Sequence, residues 1–292
     1  MSARTRRRGG LTLPEMLIGL VLASIVGTTL VTVMMAEAKA VSNRDAWRAA
    51  RAAGRGSLNL LTTDLSAVET TGGIEYVSPD AKEMTFRVPY ALGLLCRYNL
   101  GVSTVSLLPT DSSIYYAPGF SGFAWRTGVV YHYFTTGATL SDNGMATDCA
   151  QASVGITTLP APGATAANAG RVVALTGSLL PVPPTGTPVL LYRRVDYAFK
   201  ASAAVPGAIG LWRTMVDTGD SLEIAAPLDA TSRFNFFIRD AGVPVTTVPA
   251  NISDLRGVEL VLDGRSEGSP QGAPSPKIFR SRTAIFFLNR PD

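Results

Sequence analysis

Hydrophobic residues follow three successive patterns along this chain, and the first is an unbroken apolar run. Met16 to Ala36 are 21 residues without a charged side chain. As a helix with a rise of 1.5 Å per residue, this segment would span about 30 Å, the thickness of the hydrocarbon core of a bilayer. The run therefore predicts a helix that can cross a membrane.

The second pattern continues the helix beyond the apolar run, from Ala36 to about Val68, and contains no proline. Small and apolar residues recur there at spacings of three or four, which predicts an amphipathic helix able to pack on a domain. Gly54 and Gly56 weaken this helix locally, and "TTGG" (70–73) ends it. The stripe consists of Ala46, Ala49 or Ala50, Ala53, Ser57, Leu61, Leu65 and Val68.

The third pattern has a period of two and begins at Ile74. Eight segments read as strands: "IEYVS", "EMTFRV", "GVVYHYF", "PVLLYRRVDYAF", "LWRTMV", "SRFNFFIRD", "GVELVLDGR" and "KIFRSRTAIFFLN". In the last three-quarters of the chain, residues 138–170 and 179–189 are rich in Ala, Gly, Thr or Pro and are interpreted as long loops.

Alternation within two of these strands indicates how the sheet is covered. Val258, Leu260 and Leu262 share one face, with Glu259, Val261 and Asp263 on the other, and Phe234, Phe236 and Ile238 form a second apolar face. A sheet with one face on the long helix is the simplest packing. The predicted fold class is α+β, a "lollipop" with a helical stalk and a β-rich globular head.

The charge distribution argues against a nucleic-acid partner. The formal net charge is +4, but four of the 26 basic residues precede Gly10, so the chain from Leu11 onward has 22 basic and 22 acidic residues. This part of the chain is neutral overall, and no nucleic acid is expected as a partner. The four arginines before the apolar run instead place the N-terminus in the cytoplasm.

Glu15 stands at the mouth of the apolar run, where a carboxylate is costly. A conventional signal peptide has a shorter apolar region, although "ASIVG" imitates its cleavage site. A plain signal anchor fits the length but leaves Glu15 unexplained. Cleavage between Gly10 and Leu11 explains it, because the new amine of Leu11 in a neighbouring subunit would pair with the carboxylate.

The segment "GGLTLPEM" resembles the class III signal sequence of type IV prepilins. That motif has a basic leader ending in glycine, then an apolar residue, Ser or Thr, two apolar residues and a glutamate. Here these are Gly10, Leu11, Thr12, Leu13, Pro14 and Glu15. Leucine replaces the commoner phenylalanine at the first mature position, and the proline suits the first helical turn.

The resemblance implies cleavage and N-methylation at Leu11 by a prepilin peptidase. It divides the chain into a leader (1–10), a transmembrane half of the stalk (11–36), an amphipathic half (37–70) and a periplasmic head (71–292) with long loops around 138–188. Other pilins or pseudopilins, an inner-membrane assembly platform and membrane lipid are the implied partners. "LLYRRVDYAF" followed by "GLWRTM", and "LRGVELVLDGRS", also resemble strands of minor pilins and J-type pseudopilins.

The sequence contains no combination of residues typical of a catalytic or metal-binding site, so no enzyme and no cofactor are predicted. His132 is interpreted as a partly buried strand histidine. "GFSGF" (119–123) lacks the spacing of a nucleophile elbow. Asp217, Asp220 and Glu223 are close in sequence in a predicted turn; a solvated turn is favoured over a calcium site, whose loop spacing they do not match.

Two further features of the sequence each allow two interpretations. Arg44, Arg48, Arg51 and Arg55 share one helix face, which is either solvated or in contact with a neighbouring subunit or lipid headgroups. Cys96 and Cys149 are the only cysteines. On the extracytoplasmic side of a membrane a disulfide between them is expected, and two buried thiols are the alternative.

The function expected from these features is assembly. A minor pilin of a type IV pilus or a pseudopilin of a type II secretion system would reside in the inner membrane with a periplasmic head and then enter a filament, with Glu15 setting the register. Two alternatives remain: a tip adhesin or DNA-uptake pilin acting as a binding module, and a membrane-anchored periplasmic enzyme.

Overall fold

The computed structural model describes residues 13–56, 58–69, 72–99, 101–107, 121–128, 130–134, 139–142, 172–176, 179–239 and 241–287. The described residues form a long N-terminal helix in two segments, α1 (Leu13–Gly56) and α2 (Leu58–Ser66). The predicted stalk helix is confirmed. Ser57, between the two segments, lies outside the described residues, so the weakening predicted from Gly54 and Gly56 stays a prediction.

The head is an antiparallel sheet, which confirms the α+β fold class. Its strands among the described residues are β1 (Ile74–Val77), β2 (Glu83–Asn99), β3 (Val102–Leu107), β4 (Gly122–Thr127), β5 (Val130–Phe134), β6 (Thr139–Asp142), β7 (Val172–Thr176), β8 (Pro188–Ala201), β9 (Ile209–Met215), β10 (Ser221–Leu228), β11 (Arg233–Ile238), β12 (Leu255–Arg265) and β13 (Ile278–Phe286).

The strand order is β11-β12-β10-β9-β8-β2-β3-β7-β6, and four strands attach beside this path. β1 pairs with β2, β13 with β12, and the β4–β5 hairpin with β8. The eight predicted strands correspond to β1, β2, β5, β8, β9, β11, β12 and β13. The strands β6 and β7 fall within the range 138–188, for which the sequence predicts loops.

The main core lies between the helix and one face of the sheet. Leu61, Leu65 and Val68 of the predicted stripe are almost fully buried there, against side chains that include Phe86 and Phe234. The predicted inward faces of β11 and β12 are confirmed, because Phe236, Val258, Leu260 and Leu262 also belong to this core. Hydrophobic burial on this face is the main force that fixes the head to the stalk.

A second core fills the far end of the sheet. It contains Trp125 and Phe123 of β4, Leu95 of β2 and Leu191 of β8. The Trp125 indole donates a hydrogen bond to the Pro181 carbonyl at 3.2 Å, so its one polar group is satisfied inside an apolar cluster.

The helix comes close to the sheet where Gly54 of α1 faces Gly264 of β12. A β-carbon at Gly264 would overlap the carbonyl oxygen of Ala50 and lie 2.8 Å from the Gly54 nitrogen. A β-carbon at Gly54 would meet only ordinary contacts, the nearest at 3.5 Å. The strand therefore needs glycine at this crossing, while the helix does not.

Asp196 of β8 makes the stability of the head depend on pH. It lies on the opposite sheet face from the core residues Val195 and Tyr197 and accepts a hydrogen bond from the Thr85 hydroxyl at 3.2 Å. Burial, and then the neighbouring Glu83 carboxylate, raise the pKa of Asp196 from 3.8 to about 6. Since the raised pKa disfavours the charged form, stability present below about pH 4 is lost as the pH rises through about 6.

We expect Asp196→Asn to raise the free energy of unfolding by about 1–2 kcal/mol at pH 8, after allowance for solvent screening, and to leave it unchanged at pH 3.5. Urea unfolding of the full chain in detergent at both pH values measures this difference. Glu83→Gln should stabilise by a smaller amount with the same pH dependence. An equal change at pH 3.5 and pH 8 would show that ionisation of Asp196 is not the cause.

Candidate assembly surface

The first half of α1 exposes an unbroken apolar surface. Its large aliphatic side chains are exposed over more than half of their area, from 51% at Val21 to 76% at Leu13. Soluble proteins rarely leave an apolar surface of this extent in contact with water. We call residues 13–36 the apolar half of α1, and an exposed surface of this kind favours lipid or other apolar helices around it.

Among the described residues, one helix is long and apolar enough to cross a membrane, and it is this N-terminal one. The same length and composition also suit a signal sequence. Both uses fit the first half of the helix. The rest of the same helix packs in the core of the folded head.

The hydroxyl groups within the apolar half are satisfied by the helix itself. Ser24, Thr28, Thr29 and Thr32 donate to carbonyl oxygens three residues earlier, at distances of 2.7–2.9 Å. In a bilayer an unsatisfied hydroxyl would be costly, and these contacts remove the cost without a partner from another helix. The apolar half is therefore compatible with lipid on all sides.

Glu15 lies in the first turn of α1 and is exposed. The next carboxylate on the helix is Glu37, on the far side of the uncharged segment. A negative charge in a first turn is favoured by the helix dipole, so this position tolerates a carboxylate better than the middle of the run would. Gly10 and Leu11 lie outside the described residues, so their cleavage and methylation, and the pairing of Glu15, stay predictions.

A polar clamp joins the stalk to the head. Asp64 of α2 accepts hydrogen bonds from the Tyr197 hydroxyl at 2.5 Å and from Arg213 Nε at 2.9 Å. Burial, and then the Asp64 carboxylate, raise the pKa of Tyr197, so the phenol stays protonated and acts as a donor. Each group in the clamp has its partner, which is the condition under which partly buried charges are tolerated.

We expect Asp64→Ala to lower the free energy of unfolding by about 2–4 kcal/mol, because it leaves the Arg213 guanidinium and the Tyr197 hydroxyl without their acceptor. Asp45→Ala is the matched control on the same helix. Asp45 pairs with Arg48 at 3.5 Å with both side chains largely exposed, and its removal should cost less than about 0.5 kcal/mol. Urea unfolding of both variants in detergent tests this, and equal losses would contradict the clamp.

The structure also assigns partners to the residues considered for catalysis. His132 lies partly buried on β5, and its ring centroid is 5.6 Å from that of Trp125, which agrees with a strand histidine. Ser121, from "GFSGF", is buried; its hydroxyl donates to Asp217 and accepts the Arg194 backbone N–H at 2.6 Å. These contacts hold the β4 end against β8.

The three acidic residues of "DTGDSLE" are used separately. Asp217 contacts Ser121, and Asp220 accepts from the Thr218 hydroxyl at 2.7 Å. Glu223 lies in β10 and not in a turn, which corrects the sequence interpretation, because β10 begins at Ser221. No group of three or more His, Cys, Asp or Glu side chains within the described part of the chain is placed to hold a metal ion.

The structure describes one of the two cysteines of the predicted disulfide, Cys96. Cys96 is buried in β2, and no cysteine among the described residues is free. Cys149 lies outside the described residues. The pairing of Cys96 with Cys149 therefore stays a prediction.

The arginine face of α1 divides into two pairs. Arg51 and Arg55 stack on the Phe279 ring of β13, with guanidinium carbons 5.0 and 5.9 Å from its centroid. Arg48 pairs with Asp45, and Arg44 is exposed. The face is thus partly anchored to the head, a contact that the sequence interpretation did not foresee.

Comparisons with known protein families, curated proteins and solved structures found no match. The class is therefore defined by architecture. A long N-terminal helix with an exposed apolar half packs its other half against an antiparallel β-sheet, and this arrangement is pilin-like.

Proposed function

We propose that the chain is a pilin-like filament subunit, a minor pilin or a pseudopilin of a type II secretion system. The observation that carries the proposal is the division of one helix between two environments. Its first half exposes apolar side chains, while its second half is part of the core of the head. Such a subunit can be stored in a membrane and then transferred into a bundle of like helices without refolding its head.

The mechanism follows from this division. In the inner membrane, lipid covers the apolar half of α1 while the head lies in the periplasm. In a filament, the apolar halves of neighbouring subunits replace the lipid, and packing among them supplies the cohesion. A prepilin peptidase would cleave after Gly10 and methylate Leu11, and an inner-membrane assembly platform would extract the mature subunit.

The joint between stalk and head serves this mechanism. Force applied to the head during extraction must reach the membrane-embedded half, and a loose connection would let the head move independently. The buried stripe of α2, the Asp64 clamp and the close approach at Gly264 connect them along the amphipathic half of the helix. We infer that the stalk and the head move as one body.

Intact-mass measurement of the protein extracted from membranes of its native host tests the proposal. We expect a mature chain that begins at N-methylated Leu11. A Gly10→Glu variant, in which the peptidase site is blocked, should retain the leader and remain in the inner membrane. A mature terminus after Gly27 would instead indicate ordinary secretion and overturn the proposal.

A further inference from the structure

The amphipathic half of α1 has two chemically different flanks beside the face that packs on the head. Successive residues of a helix are about 100° apart, so Ala49 and Arg51 are separated by about 200° around the axis. One flank, which we call the arginine flank, carries Arg44, Arg48, Arg51 and Arg55, and two of these stack on Phe279 of β13. The other flank faces β10.

A groove of about 470 Å³ lies between this second flank and the side of the head formed by β10 and the β8–β9 connection. We call it the alanine groove, because small side chains dominate its lining on both the helix and the strand. Two carboxylates, Glu223 and Glu267, also line it. The representative alanines are Ala49, Ala52, Ala53, Ala204, Ala225 and Ala226.

Glu223 is held in position at the groove. Its Oε2 accepts backbone N–H groups of Ala203 at 3.2 Å and Ala204 at 3.1 Å. Its Oε1 lies against Gly210, where a β-carbon would overlap it. The side chain is thereby fixed, and neither Glu223 nor Glu267 forms an ion pair among the described residues.

The two flanks complement each other in charge. The groove offers negative charge and small side chains that allow close approach, and the arginine flank offers long cationic side chains. Arg51 and Arg55 lie across the helix from Ala49 and Ala53, so only two copies can bring these two arginines to that side of the groove. Such a contact uses different surfaces on the two partners, and repetition of it extends into an open helical filament unless the rotation closes a ring.

We propose that the arginine flank of one copy docks in the alanine groove of the next copy. This inference rests on the proposed function as a filament subunit, and it adds a contact outside the membrane to the packing of the apolar halves. Pairing of the guanidinium groups with Glu267 would fix the rotation of neighbouring subunits, since complementary charges set register more than they add affinity.

Distance favours a protein partner over a lipid surface. Arg44 begins the flank about 12 Å beyond Ala36 along the helix, and Arg55 ends it about 28 Å beyond. The headgroup layer on each side of a bilayer adds only about 5–8 Å to the hydrocarbon core, and the attraction of its charge fades within about 10 Å. Most of the flank therefore lies too far from the membrane to bind headgroups.

Cross-linking in membranes tests the contact. Two differently tagged copies are co-expressed, one with Arg51→Cys and one with Ala49→Cys, and treated with a short bis-maleimide; the wild-type pair gives the background from native cysteines. We expect a cross-link between the two tags at least fivefold above the pairs that carry Arg51→Cys twice or Ala49→Cys twice. Equal yields from the same-flank pairs would overturn the proposal.

Charge reversal provides a second readout. The cross-linked pair here carries Arg44→Cys on one copy and Ala49→Cys on the other. Arg51→Glu or Glu267→Lys alone should each reduce the yield of this cross-link by about fivefold. The two reversals together should restore it to within twofold. If they do not, or if the yield follows the anionic lipid content of the membrane, the contact is with lipid and the proposal is wrong.

The mass of the same sample separates the two proposals. A mature chain beginning at Leu11 without the opposite-flank cross-link would refute the groove contact and leave the filament function intact. An unprocessed chain would overturn both.

Discussion

Gly264→Ala is expected to lower the free energy of unfolding by about 2–4 kcal/mol and to loosen the stalk from the head. The added β-carbon would overlap the Ala50 carbonyl oxygen and crowd the Gly54 nitrogen. Both obstacles are backbone atoms of α1, so no side chain can rotate away to make room. The helix must move outward from β12, and that movement weakens the packing along the amphipathic half.

Gly54→Ala should behave in the opposite way, although the two glycines face each other. Its β-carbon would meet its nearest atoms at 3.5–3.8 Å, which is ordinary van der Waals contact. Alanine also favours the helix over glycine by up to about 1 kcal/mol. We therefore expect Gly54→Ala to be neutral or stabilising, and its loss of stability would show that the crossing is tighter than described.

Tryptic cleavage gives a local measurement of the joint. Arg51 and Arg55 stack on the head, and separation of α1 from β12 should make the bonds after them more accessible. We expect Gly264→Ala to speed cleavage there and to lower the thermal unfolding midpoint of the detergent-solubilised chain. Gly268→Ala is the matched control, because a β-carbon at Gly268 has no heavy atom within 4 Å. Equal effects of the two substitutions would refute the tight crossing.

The elements that the sequence predicted are those in which local periodicity and burial agree. The stripe through Leu61, Leu65 and Val68 recurs at helical spacing, and all three side chains are buried. In β12, alternation identified Val258, Leu260 and Leu262 as the core face. A single sequence carries this information because each side chain reports its own environment through its polarity.

Among the strands that the sequence did not predict, β6, β7 and β10 lack that local signal. β10 reads "SLEIAAPL", with two alanines and a proline, residues that are depleted in strands, and it follows a turn-like run of polar residues. It becomes a strand because β9 pairs with most of its length. β6 and β7 pair with each other, and β7 also pairs with β3, so their structure depends on long-range contacts that no short window of sequence contains.

The candidate assembly surface could be predicted only where its features are local in the sequence. Length and composition were enough to identify the apolar half of α1. The role of Gly264 was not, because a glycine required by close approach looks the same in sequence as a glycine in a turn. The alanine groove was equally hidden, since Glu223 and Ala49 are far apart in the chain and are brought together only when α1 packs beside β10.

The largest effect on assembly is expected from Glu15→Ala, which should reduce entry of the chain into filaments at least tenfold without affecting cleavage after Gly10. In a bundle of apolar helices, the new amine of a neighbouring Leu11 would lose its counter-ion and remain as an uncompensated charge in a medium of low dielectric constant. A loss of about 1.4 kcal/mol per contact already corresponds to tenfold in an equilibrium constant.

The amount of the chain in sheared filaments, relative to that in membranes, measures this effect. Glu37→Ala is the matched control, because Glu37 is also an exposed carboxylate on α1 but lies beyond the uncharged segment, where water can solvate it. Glu15→Gln separates charge from shape: if the negative charge is what matters, it should fail as Glu15→Ala does, while Glu37→Ala assembles normally. Wild-type entry of Glu15→Ala into filaments would show that the carboxylate does not set the register, and the apolar half of α1 would then have to be aligned by contacts outside the membrane.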